Sequence, residues 1–170
     1  IGLINSARSP FWLAPMAGIT DICYRQLMDE MGAGVLVSEL VSAKGLLYNS
    51  GKTHKMIGIH SNPRSLVGIQ LFGESEEDII NATQYVKDVG AAFVDINLGC
   101  PVKKVVKKGC GAALMRDPAY LEKFLTKIKL GIYVRPSSAK TNTLTTQRIL
   151  SKSPRKIGIL PNKVKNRSGL

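Results

Sequence analysis

The 170-residue chain has no apolar run near the ~20 residues that a membrane-crossing helix needs, so a soluble protein is expected. It shows no basic-then-apolar leader at Ile1 and no initiator methionine. Its three cysteines, Cys23, Cys100 and Cys110, cannot all pair within the chain, which points to a reducing, cytoplasmic setting. Acid is missing altogether beyond Glu122. Residues 131–170 carry nine Lys/Arg and no Asp or Glu, whereas residues 1–130 carry 15 and 12, a balance of only +3. Most of the net charge of +12 therefore sits in the last forty residues, which also hold nine Ser/Thr, three Pro and a single aromatic, Tyr133. Such a composition packs poorly and predicts a basic, low-complexity-like, poorly ordered tail over 131–170. The remainder, with hydrophobic residues at 44% and charged residues at 21% of the chain, is ordinary globular material and sufficient for one domain over 1–130.

Strand and helix patterns alternate through that domain. Phe11-Trp12-Leu13-Ala14 is a short apolar run stopped by Pro15, and Thr20 or Asp21 can cap a helix with Tyr24, Leu27, Met28 and Met31 on its apolar face. Val35-Leu36-Val37 is the next buried run, and the stretch from Ser42 to Ser61 has room for a further helix. Val67 to Phe72 predicts a third strand. Ser75 then caps a helix with Glu76, Glu77 and Asp78 in its first turn, where carboxylates suit the dipole, and with Ile79, Ala82, Val86 and Val89 at helical spacing. Phe93 to Asn97 predicts a fourth strand, and Asp117-Pro118 opens a helix with Leu121, Phe124, Leu125 and Ile128 that closes before Gly131. Four such units imply parallel strands with crossover helices, an α/β protein. A doubly wound sheet and a (β/α) barrel both satisfy the pattern. The barrel is favoured because Pro15-Met16-Ala17-Gly18, Glu39, Gln70 and Asn97 to Cys100 fall at or just past strand C-terminal ends, where barrel enzymes build their sites. A whole barrel takes ~250 residues, so four units make the N-terminal half of a (β/α)8 TIM barrel.

Cys100 is the residue most suited to chemistry. It follows a buried strand in Asn97-Leu98-Gly99-Cys100-Pro101, where a thiol can give or take a proton; the plainer alternative is a small buried cysteine. Cys110, between Gly109 and Gly111, stands at a spacing from Cys100 that fits no common zinc pattern, so no metal is expected. Lys103, Lys104, Lys107 and Lys108 form a basic loop beside Cys100, either simply solvated or facing an anionic partner. Gln70 interrupts an apolar strand, as a structural hydrogen-bonding residue or as a reader of a ligand. His54 and His60 lie away from the strand ends and are read as ordinary core or surface histidines.

Four motifs taken together carry a resemblance: Ala14-Pro15-Met16-Ala17-Gly18-Ile19-Thr20-Asp21, Ser38-Glu39-Leu40-Val41-Ser42, Gln70-Leu71-Phe72-Gly73, and Asp95-Ile96-Asn97-Leu98-Gly99-Cys100-Pro101-Val102-Lys103-Lys104-Val105. In this order and spacing the chain resembles the tRNA-dihydrouridine synthases over residues 1 to about 130. The resemblance implies a flavoprotein with an FMN-bearing barrel that uses NADPH to reduce uridines of tRNA. It further implies that Pro15, Met16 and Ala17 lie against the flavin ring, that Gln70 bonds its polar edge, and that Cys100 is the general acid. Asn97 would orient the flipped base, with Lys103 and Lys104 near tRNA phosphates.

Beyond the fourth helix the resemblance ends. The family's strand with a flavin-contacting lysine in a Val-Lys-Ile-Arg-like setting is not recognisable, and Lys140, close to it by count, stands in Ser138-Ala139-Lys140-Thr141. The chain thus reads as a truncated product, inactive alone, with flavin held weakly and with self-association through an open half-barrel. Two other functions fit the residues: an FMN-dependent reductase of a free pyrimidine, and a non-enzymatic basic RNA-binding fragment.

Overall fold

In the computed structural model, which describes residues 5–48 and 51–134, four strands form one parallel sheet in the order β1-β2-β3-β4. They are β1 (Trp12–Leu13), β2 (Val35–Ser42), β3 (Leu66–Phe72) and β4 (Phe93–Ile96). Each strand pairs with its neighbour in sequence, so the order never reverses as it does in a doubly wound sheet. This is the order of a (β/α)8 barrel followed through its first four strands.

Helix α1 (Ile22–Glu30) joins β1 to β2, and its N-cap is Asp21, whose side chain accepts the Tyr24 N–H. Two short helices, α2 (Ala43–Leu47) and α3 (Gly51–Met56), occupy the stretch after β2. Helix α4 (Glu76–Asp88) is capped by Ser75, and its Ile79, Ala82 and Val86 are fully buried, as the spacing predicts. The sequence from Cys100 to Asp117 is more structured than a loop: it holds helix α5 (Lys103–Val106) and a 3-10 helix (Gly111–Arg116). Helix α6 (Pro118–Val134) closes the described part, and Asp117 Oδ1 accepts the N–H groups of Ala119 and Tyr120 at its start.

The core lies between sheet and helices. Val41, Ile69 and Leu71 of the strands meet Leu46, Ile79, Val86, Phe124 and Ile128 of the helices. Because side chains alternate along a strand, Gln70 stands on the other face of β3 from Ile69 and Leu71.

Three expectations need correction. Helix α1 does not bury Leu27 and Met31, which are 48% and 72% exposed; it buries Arg25 and Asp29. Val89 is the C-cap of α4 and is exposed. Gly131 does not end the last helix, which runs through it to Val134. A side chain at 131 would collide with Ile80, so the glycine lets α6 lie close on α4. Helix propensity alone would make Gly131→Ala stabilising by about 1 kcal/mol. Moving Ile80 off its rotamer costs about the same. We therefore expect no rise in melting temperature for Gly131→Ala, followed by circular dichroism. The rest of the tail, residues 135–170 with Lys140, lies outside the described residues.

Asp29 organises the end of the sheet where strands begin. Its carboxylate accepts the N–H of Ser65 at 2.8 Å and of Arg64 at 3.0 Å, the Ser65 hydroxyl, and contacts from His60 Nε2 at 3.2 Å and Arg8 Nη2 at 3.3 Å. Burial alone would raise its titration, but the hydrogen bonds from Ser65, Arg64 and His60 outweigh it and hold the carboxyl at about 2. Here His60 is a buried structural residue, and His54 meets the Tyr85 ring edge-on at 5.2 Å.

Candidate active site

At the other end of the sheet, polar side chains converge from the strand C-termini. After β1 the chain turns tightly: the N–H groups of Ile19 and Thr20 donate to Met16 O at 3.1 and 3.0 Å. Thr20, fully buried, accepts the Met16 N–H on Oγ1 at 3.0 Å and donates back to Met16 O at 3.1 Å. Beneath the turn lies Arg25, whose guanidinium donates to Thr20 O at 2.6 Å and to Gly58 O. Burial lowers its titration, while the charges of Asp21 and Glu39 oppose that effect. The turn is thus fixed from inside, and Ala17 is left exposed with Pro15 and Met16 half-buried.

In β2 the register shifts between Val37 and Leu40, so that Ser38 and Glu39 stand opposite Ile69 alone. This is a β-bulge, a common device for re-aiming side chains beside active sites. Ser38 Oγ accepts the Gln70 N–H at 3.0 Å, and Glu39 Oε1 accepts the Gly18 N–H at 2.5 Å. The bulge therefore ties β3 and the turn after β1 to a single point in β2.

From Gln70 a hydrogen-bonded path crosses to β4 and out to the cysteine. Gln70 Nε2 donates to Asp95 Oδ2 at 2.7 Å, Asn97 Nδ2 donates to Gln70 Oε1 at 3.2 Å, and Asn97 Oδ1 accepts the Cys100 N–H at 3.0 Å. The direction of the path is set at both ends. Asp95 Oδ2 accepts and the Cys100 N–H only donates, which fixes the way both amides between them point. Gln70 is the structural hydrogen-bonding residue that the sequence allowed. It also keeps one N–H and one acceptor position unspent by these bonds, so a ligand-reading role survives.

The structure thus joins Gln70, Asn97 and Cys100 directly and links Pro15, Met16 and Ala17 to them through Ser38 and Glu39. Lys103 and Lys104 are exposed on α5, immediately past Cys100. Cys100 is half-buried, whereas Cys110 is buried, with its thiol directed at Lys108 O at 3.5 Å. Burial, then Glu74, push the Cys110 thiol up, with Lys108 opposing, so it stays protonated and inert. Sequence reasoning gave no role in the site to Thr20, Ser38 and Asp95, although they stand in the motifs, and missed Arg25. Asp95 had a legible signal, since it alternates with Asn97 at strand period, and the Thr20 hydroxyl bonds only near itself, to Met16; Arg25 and Ser38 depend on partners far along the chain, Gly58 and Gln70. Among the described residues no cluster of His, Cys, Asp and Glu could hold a metal ion, and no helix is long and apolar enough to cross a membrane.

The family model described as dihydrouridine synthase matches residues 12–147. The tRNA-dihydrouridine synthase B of Pseudomonas aeruginosa is 39% identical over 131 residues, covering 77% of this chain and 39% of that protein. Its counterpart in Vibrio parahaemolyticus is 37% identical over 131 residues, 77% of this chain and 40% of that protein. A probable tRNA-dihydrouridine synthase of Rickettsia typhi is 40% identical over 117 residues, 68% of this chain and 34% of that protein. The chain spans about two fifths of the length of the curated relatives it matches. With the family model matching well over half of its residues, the chain belongs to the dihydrouridine synthase family.

Proposed function

We propose that this chain carries the flavin-facing and proton-donating side of a tRNA-dihydrouridine synthase, with FMN as cofactor and NADPH as reductant. The observation that carries the reading is the path from Gln70 through Asn97 to the main-chain N–H of Cys100, which holds a half-buried cysteine just past a strand C-terminus. The donor set suits a flavin, because the unspent N–H and acceptor position of Gln70 match the alternating acceptors and donor on the ring's polar edge. Pro15, Met16 and Ala17 would offer the ring a small, fixed surface. Held by these residues, FMN would be the source of the hydride that C6 of uracil takes up, the hard part of the chemistry. Cys100 holds a proton at Sγ and gives it to C5, so that the C5=C6 bond gains one hydride and one proton. Asn97 orients the base, which has to leave the stack for its ring to be reached. Lys103 and Lys104 meet phosphates along the approach.

A free-pyrimidine reductase would have no use for exposed lysines beside the thiol, and the relatives above are named for tRNA. The test is a chimera in which residues 12–134 replace the matching part of the Pseudomonas aeruginosa relative. Dihydrouridine should appear in an unmodified tRNA transcript with FMN and NADPH present. A chimera that binds FMN yet reduces free uracil and not tRNA would favour the pyrimidine reductase. One that binds RNA but no flavin would favour the basic RNA-binding module.

A further inference from the structure

We propose that Gly111 is a positioning residue for Cys100: its missing side chain lets the cysteine's turn rest directly on the 3-10 helix that follows. The inference rests on reading Cys100 as the proton donor. Gly111 has φ of +60°, and a Cβ there would stand 2.7 Å from the Cys100 carbonyl oxygen and 3.1 Å from Cys100 Cβ. One residue further, the Ala112 N–H donates to that same carbonyl oxygen at 3.1 Å. The Cys100 N–H is meanwhile taken by Asn97 Oδ1. Both main-chain polar groups of Cys100 are therefore occupied, one from the strand side and one from the helix side. That leaves the side chain little freedom other than its own rotation. The segment between, with its four lysines, folds over the buried Val105, whose Cγ1 would also lie 3.1 Å from a Cβ at 111. The basic segment and the cysteine's turn consequently meet at Gly111.

Gly109 provides an internal control. Its φ is +74°, and a Cβ there would meet nothing within 4 Å. Alanine at either position enters the left-handed region and bears similar backbone strain. Only at 111 does it also reach Cys100.

The experiment uses the full chain and measures alkylation of Cys100 by iodoacetamide, resolved by peptide mapping, with the exposed Cys23 of the same molecule as reference. Displacing the turn from the helix uncovers the thiol. Gly111→Ala should raise the Cys100-to-Cys23 rate ratio on the order of tenfold, while Gly109→Ala changes it less than about twofold, given how steeply reactivity follows ångström displacements. No change in Gly111→Ala, or equal changes in both variants, would overturn the proposal. Hydrogen exchange of the Ala112 amide in the unsubstituted chain decides the matter if Gly111→Ala does not fold: slow exchange supports the contact, and exchange at the free-peptide rate removes it. None of these readouts depends on catalysis. A Cys100→Ala chimera that still reduces tRNA would instead remove the proton-donor reading and leave these rates untouched.

Discussion

Cys100→Ala in the chimera is expected to lower dihydrouridine formation ~10²- to 10⁴-fold, the usual worth of a positioned general acid, while NADPH oxidation through the flavin proceeds unchanged. The two half-reactions separate because a proton at C5 is needed only when uracil is reduced. The substitution is clean in structural terms. Asn97 bonds the main-chain N–H of Cys100, which alanine retains, so the path from Asp95 survives and the melting temperature should barely move. Cys100→Ser should be nearly as slow, since a hydroxyl in the same place is a far weaker acid. Wild-type rates of tRNA reduction in either variant, at unchanged flavin content, would take Cys100 out of the mechanism.

The second large effect concerns stability at the opposite end of the sheet. Asp29→Ala leaves two main-chain N–H groups, a hydroxyl and the His60 ring without their shared acceptor in a buried place, a loss of about 3–5 kcal/mol. Asp29→Asn should cost less, because one carbonyl oxygen remains. The two variants also differ in acid. The folded carboxyl titrates at about 2 against an ordinary 3.8, so its contribution is complete above 3.8 and is lost as pH falls through about 2. That window corresponds to about 2 kcal/mol of acid-sensitive stability. Urea unfolding between pH 5 and pH 2 should show this slope in the unsubstituted chain and a flatter one in Asp29→Asn. Equal slopes would mean that the carboxylate is not held as described.

Helix α4 was legible, apart from Val89 at its end, because its information is local: Ser75 caps, three acids fill the first turn, and Ile79, Ala82 and Val86 recur at helical spacing. Helix α1 was legible as a helix but not in its orientation. Leu27 and Met31 look like an inner face, yet the inward positions belong to Arg25 and Asp29. Their partners, Gly58, His60 and Ser65, lie more than 30 residues along the chain, and no periodicity encodes such a match. Gly131 misled for a related reason. In sequence a glycine after a basic turn signals a helix end, whereas here it answers to the bulk of Ile80 on another helix. At the site, the motif residues stood at strand ends as predicted, and what stayed hidden was their wiring. The bond from Gln70 to Asp95 and the buried Arg25 beneath the turn become visible only when strands are laid side by side.

The bulge in β2 has a bearing on how length, rather than residue identity, encodes this site. Ser38 and Glu39 together face one residue of β3, so β2 carries one residue more than a regular ladder would accept. Deleting either would leave a smoother sheet, with Leu40 still opposite Gln70 and the other three motifs intact. Such a deletion would show in an alignment only as a one-residue gap, easily dismissed beside an intact Cys100. A chain carrying that gap would fold, keep its cysteine, and lose Ser38 against Gln70 or Glu39 against Gly18.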